Sequence, residues 1–166
     1  MEALITDRTE YHVSLLKKLN AKGWNNMTAA EREAWLSGEA AKGAYNYTDL
    51  NRVETAVQEL SDIFGLGLTT KTDWGAWDIP TTSHMTRYFG NIQAIRRCYL
   101  GGNEVPSAPT MPYVSSATGR PFPPFTYVEA NNIEKILQAV YETAGTTPGA
   151  ILGTMKLGMA VIGKEE

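Results

Sequence analysis

Residues 45–54 read Tyr-Asn-Tyr-Thr-Asp-Leu-Asn-Arg-Val-Glu, and eighty positions later residues 125–134 read Phe-Thr-Tyr-Val-Glu-Ala-Asn-Asn-Ile-Glu. Each stretch carries the features of a helix start: an N-cap residue, Asn46 or Thr126, and an acidic residue three positions later. An aromatic residue precedes each cap and faces an apolar residue in the first turn, the arrangement of a hydrophobic staple. The sequence therefore predicts an internal pseudo-repeat built on two equivalent helices.

Apolar residues recur at spacings of three and four along three predicted helices, and each such stripe must be buried against another element. The stripes are Leu50, Val53, Val57, Leu60 and Phe64; then Met85, Tyr88, Ile92, Ile95 and Tyr99; then Ala130, Ile133, Leu137 and Val140. We predict a mainly α chain in which these three helices form a small helical bundle.

Two shorter helices are predicted before residue 45. The stretches 7–10 (Asp-Arg-Thr-Glu) and 28–31 (Thr-Ala-Ala-Glu) each resemble a capping box at a helix start. Gly23 and Gly38 are placed to end the helices that follow.

Residues 104–124 contain six prolines. This density is incompatible with a helix or a central strand, because each proline lacks a backbone donor. We therefore predict a proline-rich excursion, or arm, within one helical domain that spans residues 1–145.

Residues 146–166 are predicted to be a separate C-terminal interaction tail with an extended (β) segment. Its apolar residues alternate with small or polar residues, which is the period of a strand. The alternating apolar residues are Met155, Leu157, Met159 and Val161. A helical interpretation is the alternative, although the four glycines of this region disfavour it. A strand without a partner in a helical chain is expected to pair with another subunit.

Composition and charge narrow the classes of function. The net charge is -3 and no long basic run is present, so binding of nucleic acid is not expected. No apolar tract is long enough to span a membrane. The single cysteine, Cys98, favours a reducing cytoplasm, although Arg96 and Arg97 beside it would suit a reactive thiol. His12 and His84 lack metal-ligand spacing, so we expect neither a metal nor another cofactor.

Four polar residues occupy equivalent positions of the pseudo-repeat: Asn51, Glu54, Asn131 and Glu134. One hypothesis makes Glu54 and Glu134 a carboxylate pair that hydrolyses glycosidic bonds, meeting across an internal pseudo-two-fold axis. The other makes all four structural, with hydrogen bonds from each helix to a neighbouring helix or loop. The structural hypothesis is favoured, because residues that repeat together require a structural cause before a catalytic one.

Aromatic residues supply further candidates for contacts. Trp74 and Trp77 lie in one loop, which either covers the end of the bundle or presents its indoles to a sugar or protein. Burial is the favoured interpretation for large aromatic side chains. Tyr113 and Phe122 in the proline-rich arm are additional contact candidates.

Several words of the sequence resemble a recurrent domain of phage proteins. They are residues 5–9 (Ile-Thr-Asp-Arg-Thr), residues 43–54, residues 71–74 (Lys-Thr-Asp-Trp) followed by 78–81 (Asp-Ile-Pro-Thr), and residues 127–134. The resemblance covers about residues 4 to 143. It is to a domain of tail, baseplate and fibre-region structural proteins from phages and prophages of Gram-positive gut bacteria.

The resemblance implies a virion or tail-like particle component without catalytic residues, assembled in the host cytoplasm. Its partners would be other particle subunits, in a homo-oligomer or attached to a ring. Two alternatives are kept: a host-surface or carbohydrate-binding module of a tail fibre, and a cell-wall glycoside hydrolase that uses Glu54 and Glu134.

Overall fold

The computed structural model describes residues 3–99, 113–114, 116–117, 121–122 and 125–146. Its α-helices are α1 Glu10–Lys22, α2 Ala29–Leu36, α3 Tyr47–Phe64, α4 Thr82–Arg96 and α5 Tyr127–Thr146. Short 3-10 helices at Trp24–Asn26 and Ala40–Gly43 connect α1, α2 and α3. Strands β1 Tyr113–Val114 and β2 Pro121–Phe122 form a two-residue antiparallel ladder, with Tyr113 opposite Phe122. The predicted mainly α class is confirmed, and none of the described helices is long and apolar enough to cross a membrane.

Part of the predicted organisation lies outside the described residues. The C-terminal tail beyond Thr146, with its four alternating apolar residues, is outside them, as is most of the proline-rich arm. The β1–β2 ladder falls within that arm.

The larger apolar core lies between α3, α4 and α5. The stripes predicted for these helices face inward: Val57 of α3, Ile92 of α4 and Leu137 of α5 are all buried. The opening positions Leu50 and Ala130 are buried as well, so α3 and α5 each have a buried position in the first turn.

A second, smaller core lies in the first quarter of the chain. It consists of Leu19, Met27 and Ala40, with Leu15 and Leu16 packed against them. Here α1 packs on the 3-10 helix Ala40–Gly43, and the approach is close. A Cβ atom added at Gly43 would lie 2.2 Å from the carbonyl oxygen of His12, so only glycine fits at position 43.

Helix ends follow the local sequence signals, with one correction. The caps Thr28 and Asn46 begin α2 and α3 as predicted, and Thr81 caps α4. The capping box predicted at residues 7–10 is wrong: α1 begins after Thr9, whose backbone N–H donates to His12 Nδ1 at 2.9 Å. Asp7 instead accepts a hydrogen bond from Lys42 Nζ at 2.7 Å.

Candidate functional site

A segment outside the helices and strands, residues 5–8, lies against one face of α5. The Arg8 N–H donates to Asn131 Oδ1 at 3.0 Å, and Asn131 Nδ2 donates to the Arg8 carbonyl oxygen at 2.8 Å. One turn later, Glu134 Oε2 accepts the Ile5 N–H at 2.6 Å. We name Asn131 and Glu134, with the segment 5–8 that they hold, the α5 clamp. It binds its segment mainly through backbone atoms, as in recognition of extended peptides.

Four buried charged side chains complete the α5 clamp: Arg8, Asp49, Arg52 and Glu134. Arg8 Nη2 lies 2.7 Å from Asp49 Oδ1 and 2.8 Å from Glu134 Oε1. Arg52 donates through Nε and Nη2 to the two oxygens of Glu134, at 3.0 and 2.8 Å. Burial lowers the pKa of Arg52, but its bonds to Glu134 and Asp49 outweigh this and raise the pKa. Two cations therefore balance two anions, which is the condition for holding charge inside a protein.

An equivalent arrangement occurs on α3. The Trp74 N–H donates to Asn51 Oδ1 at 2.7 Å, and Asn51 Nδ2 donates to the Trp74 carbonyl oxygen at 3.0 Å. One turn later, Glu54 Oε2 accepts the Lys71 N–H at 3.0 Å. We name Asn51 and Glu54, with the segment 71–74 that they hold, the α3 clamp. Its carboxylate is paired with Arg87 of α4, whose Nη2 lies 2.6 Å from Glu54 Oε1.

The polar row of α3 extends the grip on this segment. Gln58 accepts a hydrogen bond from Thr70 Oγ1, and Ser61 Oγ accepts one from the Leu68 N–H at 3.0 Å. On α5, by contrast, Gln138 donates to Glu142 of its own helix at 2.9 Å. The predicted hydrogen bonds of Asn51 and Asn131 are thus confirmed, and their partners are backbone groups of segments outside the helices.

The two captured segments are themselves related. Residues 5–8 read Ile-Thr-Asp-Arg and residues 71–74 read Lys-Thr-Asp-Trp. Each is followed by a helix whose N-cap threonine donates its N–H to a histidine Nδ1: Thr9 to His12 at 2.9 Å and Thr81 to His84 at 3.3 Å. The pseudo-repeat therefore comprises a segment and two helices, and each half places its segment in the clamp of the other half.

This part of the repeat was not predicted from the sequence, and neither were Arg8, Arg52 and Arg87 as clamp residues. A signal was available in the shared Thr-Asp word and the Thr-x-x-His pattern that follows it. The spacing between these words and the later helices differs in the two halves, so a search at one fixed offset does not align them.

The clamps place Glu54 and Glu134 differently from the hydrolase hypothesis. The Glu54 and Glu134 residues are 1% and 0% exposed, and each carboxylate is paired with its own arginines. A glycosidase needs one carboxyl group to donate a proton and the other to attack or activate water beside the sugar. Both groups instead bond backbone N–H groups and guanidinium groups, which suits holding a segment in place.

The two tryptophans are separated by burial. Trp74 is only 4% exposed and belongs to the larger core, so the favoured interpretation, burial, is confirmed for Trp74 and its role as a surface contact is wrong. Burial is wrong for Trp77, which is 94% exposed, and Ile79 beside it is 86% exposed. We name residues 75–79 the Trp77 loop.

A groove of about 420 Å³ lies beside the Trp77 loop. Its lining is largely aromatic and apolar: Tyr45, Tyr47, Leu50, Ala76, Pro80, Met85 and Phe125, with Asn46 and Asp78 as polar members. An exposed indole next to an apolar groove is a typical feature of a contact surface.

The remaining candidates are accounted for by local structure. His12 Nε2 donates to Glu39 Oε1 at 2.8 Å, an interaction that lowers the pKa of Glu39. Burial raises the pKa of the Cys98 thiol, which opposes the reactive-thiol interpretation. Among the described residues no group of histidine, cysteine or carboxylate side chains could hold a metal ion. Tyr113 and Phe122 pair in the β1–β2 ladder.

Comparisons with known proteins found no relative. No family model matches the chain, and neither the curated proteins nor the solved structures contain a match.

Proposed function

We propose that this protein is a non-enzymatic structural component of a phage tail, baseplate or related contractile particle, and that it acts through contacts between subunits. In this proposal the domain is a small helical bundle whose clamps hold it together. The Trp77 loop, the proline-rich arm and the C-terminal tail provide surfaces for neighbours. The particle class comes from the sequence words that resemble phage tail proteins.

The observation that carries the proposal is the Trp77 loop. Trp77 and Ile79 are almost fully exposed, and their chain neighbours Ala76, Asp78 and Pro80 line the groove. Leaving such side chains in water is unfavourable by about 1.5–3 kcal/mol for each large apolar group. Tryptophan is also among the residues that most often anchor protein interfaces. The buried carboxylates of Glu54 and Glu134, in contrast, are bonded within the clamps.

The test is to replace Trp77 and Ile79 by alanine in the full chain and to measure particle size by mass photometry. We expect the parent chain to form higher oligomers that the double variant does not form. Leu36→Ala is the matched control, because Leu36 is exposed at the end of α2, away from the groove. Oligomers that persist in the double variant would contradict the role of the Trp77 loop.

The C-terminal tail has its own test. Removing residues 150–166 is expected to leave a folded helical domain that no longer assembles, because an extended tail would pair with a neighbouring subunit. A truncated chain that fails to fold would place the tail in the core, and one that still assembles would move the contact elsewhere.

A carbohydrate-binding module of a tail fibre is the second candidate. It is favoured by the exposed Trp77 indole, since a flat aromatic face with nearby polar groups such as Asp78 suits a sugar ring. Binding of purified cell-wall fractions that disappears in Trp77→Ala and remains in Leu36→Ala would favour this candidate. A chain that binds no wall fraction excludes it.

A further inference from the structure

The α5 clamp holds a segment from a separately packed part of the chain. Residues 5–43 form what we name the N-terminal module: the segment 5–8, α1, α2 and the two 3-10 helices, built around the smaller core. The Asp7–Lys42 ion pair, at 2.7 Å, and the close packing at Gly43 tie this segment and α1 to the same module. The module is therefore a unit that can keep its internal packing while its position relative to α5 changes.

The backbone hydrogen bonds of the two clamps are the same for different captured residues, although in the α5 clamp the Arg8 side chain also pairs with Asp49 and Glu134. The α3 clamp makes the same three backbone hydrogen bonds to Lys-Thr-Asp-Trp that the α5 clamp makes to Ile-Thr-Asp-Arg. Only the central Thr-Asp pair is common to both segments. The site is thus a receptor for a short extended peptide, and its geometry is satisfied whichever copy of the chain donates the segment.

The two segments differ in how they are tethered. Residues 71–74 lie between α3 and α4, which both pack in the larger core. The N-terminal module is joined to α3 through residues 44–46, and Ala44 has an extended backbone (φ -126°, ψ 150°). A change of backbone angles at this one connection would carry the module and its segment away from α5, whereas the α3 clamp has no comparable release.

We propose that the α5 clamp exchanges its segment between copies, so that residues 5–8 of one chain occupy the clamp of a second chain. The closed and exchanged forms contain the same hydrogen bonds and ion pairs, which makes such exchange a low-cost route to oligomers. One-way exchange links copies head to tail, and reciprocal exchange gives a dimer. This inference deepens the proposed structural function, on which it rests, by naming a partner and a contact.

The experiment follows the mixing of two isotopic forms of the full chain. Oligomers of unlabelled and ¹⁵N-labelled protein are combined, and native mass spectrometry measures how fast mixed oligomers appear. Exchange requires the α5 clamp to open, so Asn131→Ala should make mixing about tenfold faster, as expected for loss of two hydrogen bonds from the closed state. Asn51→Ala is the matched control: it removes the same bonds from the α3 clamp and should leave the mixing rate within about twofold of the parent.

Several outcomes separate the alternatives. Equal mixing rates in the Asn131→Ala and Asn51→Ala variants would overturn the exchange, and so would the absence of oligomers at every concentration. Should Asn131→Ala not fold, Asn131→Asp keeps the acceptor for the Arg8 N–H, loses the donor and places a negative charge beside the Arg8 carbonyl oxygen, so it should still accelerate mixing. Oligomers that vanish in the Trp77 and Ile79 double variant but mix independently of Asn131 would support the proposed function and reject the exchange. Oligomers that survive that double variant and mix faster with Asn131→Ala would do the reverse.

Discussion

The α3 and α5 clamps hold their segments with the same backbone geometry and surround them with different charges. Both use an asparagine to bond one residue twice and a glutamate, one turn later, to accept a backbone N–H. The α5 clamp adds two buried arginines and Asp49, whereas the α3 clamp has Arg87 alone, with 24% of its side chain exposed. The residues that bond backbone are thus repeated in the sequence, and the arginines that balance the charge are not.

The captured residue also differs between the clamps. Arg8 sends its guanidinium into the charged cluster and lies 5.6 Å from the centre of the Tyr45 ring. Trp74 occupies the equivalent position and packs edge-on against His84, 5.2 Å between ring centres. Because the asparagine reads only backbone atoms, one geometry accommodates a cation in one clamp and an indole in the other.

The largest difference between the clamps should appear on removal of the glutamate charge. Glu134→Gln leaves two buried arginines facing Asp49 alone, so the free energy of unfolding should fall by about 3–5 kcal/mol. Glu54→Gln should cost about 1–3 kcal/mol, because Arg87 can turn toward solvent. Urea denaturation measures both values. Equal losses would show that the second arginine adds nothing to the α5 clamp.

The equivalent apolar positions beneath the clamps offer a second comparison. Leu137→Ala and Val57→Ala should each cost about 2–5 kcal/mol, with Leu137 the larger because more volume is removed from a buried site. The same denaturation assay tests this. A negligible effect at either position would mean that the corresponding stripe is not part of the shared core.

The asparagines should be nearly equal in their contributions. Asn131→Ala and Asn51→Ala each leave a backbone donor and acceptor without their partner, at a cost of about 1–3 kcal/mol. Gln138→Ala is the control, since Gln138 bonds only within its own exposed helix face, and it should change stability by less than about 0.5 kcal/mol. A cost confined to one asparagine would end the equivalence of the clamps.

The smallest effect concerns the aromatic residues that precede the two caps. Tyr45 and Phe125 are equivalent and pack edge-on at 4.8 Å, but only Tyr45 carries a hydroxyl group, which bonds the Tyr88 hydroxyl. Burial raises the pKa of both tyrosines above the ordinary value. Above about pH 10 the unfolded chain ionises first, so stability should fall as pH rises.

Tyr45→Phe makes the two positions alike and should lower stability by about 1 kcal/mol at neutral pH. It should also reduce the loss of stability at alkaline pH, because one raised tyrosine is removed. Unfolding midpoints from pH 8 to 11, with absorbance at 295 nm to follow tyrosine ionisation, test both expectations. An unchanged alkaline slope would mean that Tyr45 already ionises in the folded chain.

Helix starts and inward faces were predictable because they depend on neighbours a few residues apart. Asn46 and Asp49 cap α3, and Leu50 and Val57 face the core, as the spacing predicts. The start of α1 was misplaced by a similar local signal, because Asp7 and Thr9 both resemble caps and only the ion pair of Asp7 with Lys42 distinguishes them. The Asn and Glu pairs were recognised as structural, but their partners were not.

The sequence by itself determined the mainly helical class, the equivalence of α3 and α5, and the structural character of Asn51 and Asn131, because each follows from periodicity and caps within one helix. The tertiary structure alone decided that each half of the repeat lends its segment to the other, that Glu134 meets two arginines, and that Trp74 is buried while Trp77 is exposed. Arg8 and Asn131 are separated by 123 residues. Contacts over such distances form only when the helices pack, and no local pattern encodes them.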